Sequence, residues 1–63
     1  MTKIEYFRRV AKLTQLELAQ RIGVTQGSVC FWELGKNKPA SENLLKMAQL
    51  FGCSMEDLIG TCE

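Results

Sequence analysis

The segment from Thr14 to Pro39, TQLELAQRIGVTQGSVCFWELGKNKP, constrains the fold more tightly than any other part of the chain, because its punctuation suits two short helices joined by a tight turn. Thr14-Gln15-Leu16-Glu17 has the Thr-x-x-Glu form of a capping box, in which the Thr hydroxyl and the Glu carboxylate satisfy opposing backbone amides at a helix start. A helix therefore begins at Gln15. Leu18, Ala19 and Ile22 fall on one face of it, and Gly23 follows where a left-handed residue ends a helix without a Cβ penalty. That makes the helix about two turns long. Val24 lies in the turn, and Thr25 is placed to cap a second helix whose inward residues, Val29 and Trp32, are one i, i+3 step apart. Ala19 is small enough for the second helix to cross closely above it, Gly23 supplies the permissive backbone of the turn, and Val29 fills the corner. These spacings fit two helices packed nearly at right angles.

The flanking sequence is helical in pattern. Thr2-Lys3-Ile4-Glu5 is another capping-box pattern, and Ile4, Phe7, Val10 and Ala11 continue a helical stripe that ends before Thr14. Leu34 to Pro39 is a polar loop punctuated by Gly35 and Pro39. Ser41 is placed to cap a fourth helix, in which Leu44, Leu45, Ala48 and Phe51 recur at helical spacing before Gly52. Ser54-Met55-Glu56-Asp57 repeats the capping logic and opens a short fifth helix holding Met55, Leu58 and Ile59. No segment reads as a strand, and no repeat, low-complexity tract or linker divides the chain. The expectation is a single all-α domain over residues 1–63, in which helices 1, 4 and 5 build the core that holds helices 2 and 3, since two short helices are unstable alone.

With 63 residues the chain is near the lower limit at which one core sustains a fold without metal or disulfides, and a hydrophobic share of 46% is enough to build that core. No run approaches the length of a membrane span, and Met1-Thr2-Lys3 leads directly into an amphipathic helix rather than a signal peptide, so a cytoplasmic location is expected. Cys30, Cys53 and Cys62 are separated by 23 and 9 residues, which matches neither a zinc site nor a redox Cys-x-x-Cys pair, and there is no histidine. They read as small apolar residues in a reducing compartment, with Cys62, near the end, the most open to reaction. Neither a metal nor a cofactor is expected. Net charge is only +1, but it is unevenly spread: residues 54–63 hold Glu56, Asp57 and Glu63 with no Lys or Arg, a balance of −3 against +4 for the first 53 residues. The acidic end is expected to face away from a polyanionic partner.

Taken together, Phe7-Arg8, Leu13-Thr14-Gln15, Leu18-Ala19, Ile22-Gly23-Val24, Trp32-Glu33, Gly35-Lys36, Lys38-Pro39 and Met55-Glu56-Asp57-Leu58 resemble, in order and spacing, the phage-repressor, Cro and XRE-type helix-turn-helix family. The likeness covers nearly the whole chain. It implies a five-helix lambda-repressor-like fold whose helix-turn-helix is made by helices 2 and 3, double-stranded DNA as the partner, and a role in regulating transcription. Arg8 and Glu33 occupy positions that in the family often form an ion pair between helix 1 and the end of helix 3.

A recognition helix enters the major groove with its N-terminal residues nearest the base edges, which here are Thr25, Gln26, Gly27 and Ser28, with Phe31 one turn later. Gln26 is the best base reader, since its amide offers a donor and an acceptor to adenine N6 and N7 at once. Ser28 suits a base or a phosphate, and Thr25 divides its hydroxyl between capping and phosphate. Gln15 begins helix 2, where backbone amides and the positive helix end favour a phosphate, the contact made at this position in similar proteins. Lys36, Asn37 and Lys38 follow helix 3 and would meet the next phosphates. Gly27 and Phe31 depart from the family's pattern, in which polar side chains are common at both positions. Phe31 is left between packing on a thymine methyl or sugar and lying partly buried, and Gly27 lets the backbone come closer.

An enzyme is excluded for want of parts: there is no His, no nucleophile with an identifiable base and no glycine-rich phosphate loop. The sequence reads as a sequence-specific regulator, with repression by promoter occlusion the simpler default and no small-molecule effector expected. Binding as a homodimer to an inverted repeat is expected from the limited reach of one short helix, with Met55, Leu58, Ile59 and Phe51 as interface or core residues and a dimer that forms only on DNA left open. The alternative from another class is a protein-interaction module of the same fold, antitoxin-like or an adaptor subunit, without its own operator.

Overall fold

The computed structural model describes residues 3–59, with the side chain of Ile59 outside that description, as are Thr2 and Cys62. Five helices follow in order: α1 (Lys3–Val10), α2 (Gln15–Ile22), α3 (Gln26–Leu34), α4 (Ser41–Phe51) and α5 (Met55–Ile59). No strand occurs among the described residues. Their contacts close a ring, α1 on α3, α3 on α2, α2 on α4, α4 on α5 and α5 back on α1. The core lies inside it. Every helix contributes: Ile4 from α1, Leu18, Ala19 and Ile22 from α2, Val29 and Trp32 from α3, Leu44, Met47 and Ala48 from α4, and Leu58 from α5.

The boundaries of α2 and α3 are set by side chains that satisfy the first free amides and by glycines that turn the last carbonyls inward. Thr14 Oγ1 accepts from the Glu17 amide at 3.0 Å while Glu17 Oε1 accepts from the Thr14 amide at 2.9 Å, a complete capping box. Gly23, at φ +87°, donates to the Ala19 carbonyl at 2.8 Å, and Val24 donates to the same oxygen at 3.0 Å. Thr25 Oγ1 accepts from the Ser28 amide and starts α3. At its far end the Gly35 amide reaches the Trp32 carbonyl and the Lys36 amide the Phe31 carbonyl, a Schellman closure that needs the left-handed backbone of Gly35 at φ +77°. Ser54 and Asp57 exchange capping bonds of 3.2 Å at the start of α5.

Three local expectations are corrected. Val10 is 61% exposed and Ala11 lies beyond the helix. The inward position one turn after Ile4 belongs to Arg8, and Val10, two residues further, is about 200° round the axis from it. Ala40, not Ser41, is the N-cap of α4, with no side-chain bond; its carbonyl already accepts from the Leu44 amide, so Ser41 is the first helical residue and its hydroxyl is past the capping position. Leu45 is exposed and Met47 is fully buried, because the inward stripe runs Leu44, Met47, Ala48 and Phe51, and Leu45 is rotated about 100° away from Leu44. Leu58 fills the core rather than an outer face, and Phe51 stacks on Phe7 with ring centroids 5.9 Å apart.

α1 closes with a Schellman turn of its own, the Lys12 amide on the Arg9 carbonyl and the Leu13 amide on that of Arg8, but here the left-handed residue is Lys12, at φ +60°. A side chain at such a φ costs on the order of 1 kcal/mol that glycine avoids. Lys12→Gly is accordingly expected to stabilise the fold by about 0.5–1 kcal/mol after the added chain entropy is counted, read as a rise in Tm by calorimetry. The Thr14 amide and hydroxyl hold the Glu17 carboxyl below the usual carboxylate range. A lowered folded-state value means stability that is present above the unfolded value and lost as pH falls through the folded one. The Tm advantage of wild type over Glu17→Gln at pH 6 is expected to shrink as pH is lowered through that window in a melting series.

Candidate nucleic-acid interface

One carboxylate ties the surfaces of this face together. Glu33, on the last turn of α3, takes a two-pronged bond from Arg8 of α1, Nε to Oε2 at 2.6 Å and Nη2 to Oε1 at 3.1 Å. Arg8 also donates from Nη1 to the Leu13 carbonyl at 2.9 Å, holding the α1–α2 turn. Gln15, the first residue of α2, donates from Nε2 to Glu33 Oε1 at 3.0 Å. The side chains of Arg8 and Glu33 are 12% and 5% exposed, so the pair is nearly out of water. The hydrogen bond to Glu33 raises the Arg8 guanidinium above its ordinary value even though burial acts the other way. No buried side-chain polar atom among the described residues lacks a partner.

The residues expected to touch a partner divide into tied and free groups. Gln15 is half-buried and oriented by Glu33. Thr25 and Ser28 hydrogen-bond each other through their hydroxyls at 3.0 Å, and Ser28 is half-buried, so much of their polar capacity is spent within the cap. Gln26 and Gly27 are exposed, and the Gln26 amide has no hydrogen-bond partner among the described residues. Phe31 is 44% exposed. Lys36, Asn37 and Lys38 are all exposed, and the Lys36 and Asn37 amides both turn onto the Phe31 carbonyl, which fixes where the basic loop leaves α3.

Sequence reasoning missed the bond between Gln15 and Glu33, which spans 18 positions and leaves no local signal. It also missed Lys46, whose Nζ reaches the Ile22 carbonyl at 3.5 Å from α4 and helps close the end of α2. Cys30 and Cys53 are both half-buried, and burial followed by the Asp57 charge pushes the Cys53 thiol up, away from the reactive thiolate. No group of three or more His, Cys, Asp or Glu side chains among the described residues could hold a metal ion, and no helix among them is long and apolar enough to cross a membrane.

The helix-turn-helix family profile matches residues 4–58, from the first core residue of α1 to that of α5. The chain belongs to the Cro/C1-type helix-turn-helix family. Among its helix-turn-helix relatives, an uncharacterized HTH-type transcriptional regulator of Archaeoglobus fulgidus is 39% identical over 57 residues, covering 90% of this chain and 80% of the relative. The transcriptional activator BcrR of Enterococcus faecalis is 30% identical over 57 residues, covering 90% of this chain but 28% of BcrR. The solution NMR structure of the DNA-binding domain of the P22 C2 repressor superposes with a TM-score of 0.82 at 30% identity, covering 90% of this chain and 75% of that one. In this helix-turn-helix domain α2 and α3 are the signature pair, and the Arg8–Glu33 pair fastens the second of them to α1.

Truncating one member of a nearly buried pair strands the other charge, at a cost of about 3–5 kcal/mol. That is comparable to the whole stability of a domain this small, roughly 3–9 kcal/mol. Arg8→Ala and Glu33→Ala are each expected to lower the urea midpoint severely, with the double variant losing less than the sum of the two. Additive losses in the urea titrations would show that the two side chains act independently.

Proposed function

We infer that this chain is a sequence-specific transcriptional regulator that binds double-stranded DNA by seating α3 in the major groove. The observation that carries this reading is the free amide of Gln26 at the exposed start of α3, on the same helix whose last turn holds the Gln15 amide and leads into the exposed Lys36–Lys38 loop. A base-edge reader on the same rigid unit as groups suited to phosphate is the arrangement that groove recognition uses. Gln26 pairs with an adenine, Lys36, Asn37 and Lys38 meet phosphates, and Gln15 meets a phosphate from the start of α2. Thr25 and Ser28, tied to each other, support the start of the reading helix and take shorter contacts to the backbone. The protein acts in the cytoplasm, as a homodimer on an inverted repeat that completes its pairing on DNA. It represses by occluding a promoter, an effect that requires only the occupied site; the P22 C2 protein is named a repressor, whereas BcrR is named an activator.

One observation favours a second reading. The only charged side chain of α3 is Glu33, which is turned inward to Arg8, and the exposed face carries Phe31 and Leu34, so it would also suit a protein partner. Salt separates the two, since phosphate contacts release counterions and a neutral protein contact does not.

The test is selection of bound sites from random duplexes, followed by titrations against the selected site and its single-base variants. Gln26→Ala is expected to lose about 1–3 kcal/mol on the selected site and little on random DNA. Lys36→Ala and Lys38→Ala are each expected to weaken binding to all duplexes alike and to flatten the salt dependence by about one unit. A promoter fused to the selected site reads the sign of regulation. No enrichment over random DNA, with salt-independent capture of a protein, would move the assignment to the interaction module.

A further inference from the structure

Three helices end on a glycine in the left-handed conformation, Gly23 after α2, Gly35 after α3 and Gly52 after α4, but α1 ends on Lys12 at φ +60°. Lys12 is the one non-glycine residue with a positive φ among the described residues. The Schellman bonds that close this turn, from the Lys12 amide at 3.0 Å and the Leu13 amide at 3.1 Å, involve backbone alone and would form equally well on glycine. The lysine therefore strains the turn without being needed to close it, and strain of this kind points to a use for the side chain. Attraction to the C-terminal end of α1 would be one use, but Arg8 and Arg9 already stand in its last turn. Lys12 is exposed, and its ammonium makes no hydrogen bond or ion pair with the described residues. The backbone that carries it is fixed. The next carbonyl, that of Leu13, takes Arg8 Nη1 at 2.9 Å, and the same guanidinium grips the Glu33 carboxylate that orients Gln15. Lys12 is thus a free charge on a flexible stem, rooted in the network that aims the Gln15 donor, with at most about 11 Å of chain between the two residues.

We propose that Lys12 binds a phosphate of the DNA backbone next to the one taken by Gln15, so that the α1–α2 turn grips the strand at two points. The proposal rests on the reading of the chain as a duplex-binding regulator. The two side chains divide the work by their chemistry. Gln15 has a directed, neutral N–H and sets orientation, whereas the lysine ammonium is a point charge that displaces a counterion from whatever position it reaches. With a net charge of only +1, an exposed unpaired cation is a sizeable share of the attraction available to the domain. The other lysines assigned to phosphate, Lys36 and Lys38, follow α3, so Lys12 extends the backbone contact to the turn before α2. One substitution then moves stability and affinity in opposite directions: Lys12→Gly relieves the backbone and removes the charge.

The experiment titrates wild type, Lys12→Gly, Lys12→Arg and Gln15→Ala against the selected duplex over a range of salt, and then against duplexes in which one phosphate at a time is replaced by an uncharged methylphosphonate. Lys12→Gly is expected to melt higher than wild type yet to flatten the slope of log K against log salt by about 0.9, a loss of about fivefold in affinity near 0.15 M salt from a 1 M reference. Lys12→Arg should keep the wild-type slope. At one phosphate per half-site the methylphosphonate should weaken wild type, Lys12→Arg and Gln15→Ala but leave Lys12→Gly unaffected, and Gln15→Ala should be indifferent at a neighbouring phosphate instead. A Lys12→Gly protein with the wild-type slope, or with the wild-type pattern of methylphosphonate losses, overturns the contact while leaving the DNA reading intact. A slope flattened in Lys12→Arg as well assigns the effect to turn geometry and also overturns it. Wild-type binding to duplex DNA that does not depend on salt overturns the DNA reading and this contact together.

Discussion

The geometry of the proposed DNA-facing surface depends on one nearly buried carboxylate. Glu33 stands at the end of α3, yet its two oxygens are held by Arg8 from α1 and by Gln15 from the start of α2, and Arg8 in turn holds the Leu13 carbonyl between those helices. Four segments thus meet on one ion pair. Burying such a pair gives little net stability, because desolvation offsets most of the attraction. Its value lies in direction. The planar guanidinium fork accepts a carboxylate in one orientation, so the roll of α3 about its own axis is set relative to α1, and the apolar contacts of Val29 and Trp32, which tolerate sliding, are not left to set it alone.

The parts legible in sequence are those whose physics is local. The Thr14 capping box, the cap at Thr25, the left-handed Gly23, the helix stops at Gly35 and Gly52 and the reciprocal bonds of Ser54 and Asp57 each involve groups within a few residues, and each forms where the sequence expects it. The family resemblance supplied the partnership of Arg8 with Glu33, across 25 positions, which no local pattern contains. What escaped was decided by tertiary packing. Val10 is apolar and Arg8 is charged, but Arg8 lies one turn after Ile4 on the inward side and Glu33 opposite it receives the arginine there. Leu45 is more apolar by habit than Met47, but only the phase of α4 against α2 and α5 decides which is inward. Lys12 carries a left-handed turn with no glycine to announce it. The contact roles of Gln26, Gly27 and Phe31 rest on an exposed surface, where a single chain's sequence and fold describe only half of an interaction.

Charge is arranged to match that division of labour. The chain's net charge is +1, too small for the whole surface to act as a polycation. α3 contributes no cation; Arg8 beside it is paired with Glu33, and the exposed Lys36 and Lys38 lie in the loop after it, while Glu56 and Asp57 stand on α5, which packs against α4 and α1. On the proposed reading, binding built this way would draw modest affinity from phosphates and leave selection to short-range contacts of a neutral helix face. A weak half-site of this type is what a second copy, bound to the other half of an inverted repeat, would reinforce.

Gln15 shows how closely scaffold and contact are joined in so small a domain. A carboxylate only accepts hydrogen bonds, so the end of the Gln15 amide that meets Glu33 must be its NH2, and the amide cannot be flipped without placing two acceptors against each other. One N–H is consumed by Glu33, leaving the second N–H and the carbonyl oxygen. A phosphate takes only the former. The residue therefore has a single donor to offer the backbone, aimed by the same carboxylate that fixes α3, and its direction follows any movement of Glu33. The helix proposed to read bases and the side chain proposed to seat the domain on phosphate are thus referred to one point, and the register between them is stored in the Arg8–Glu33 pair.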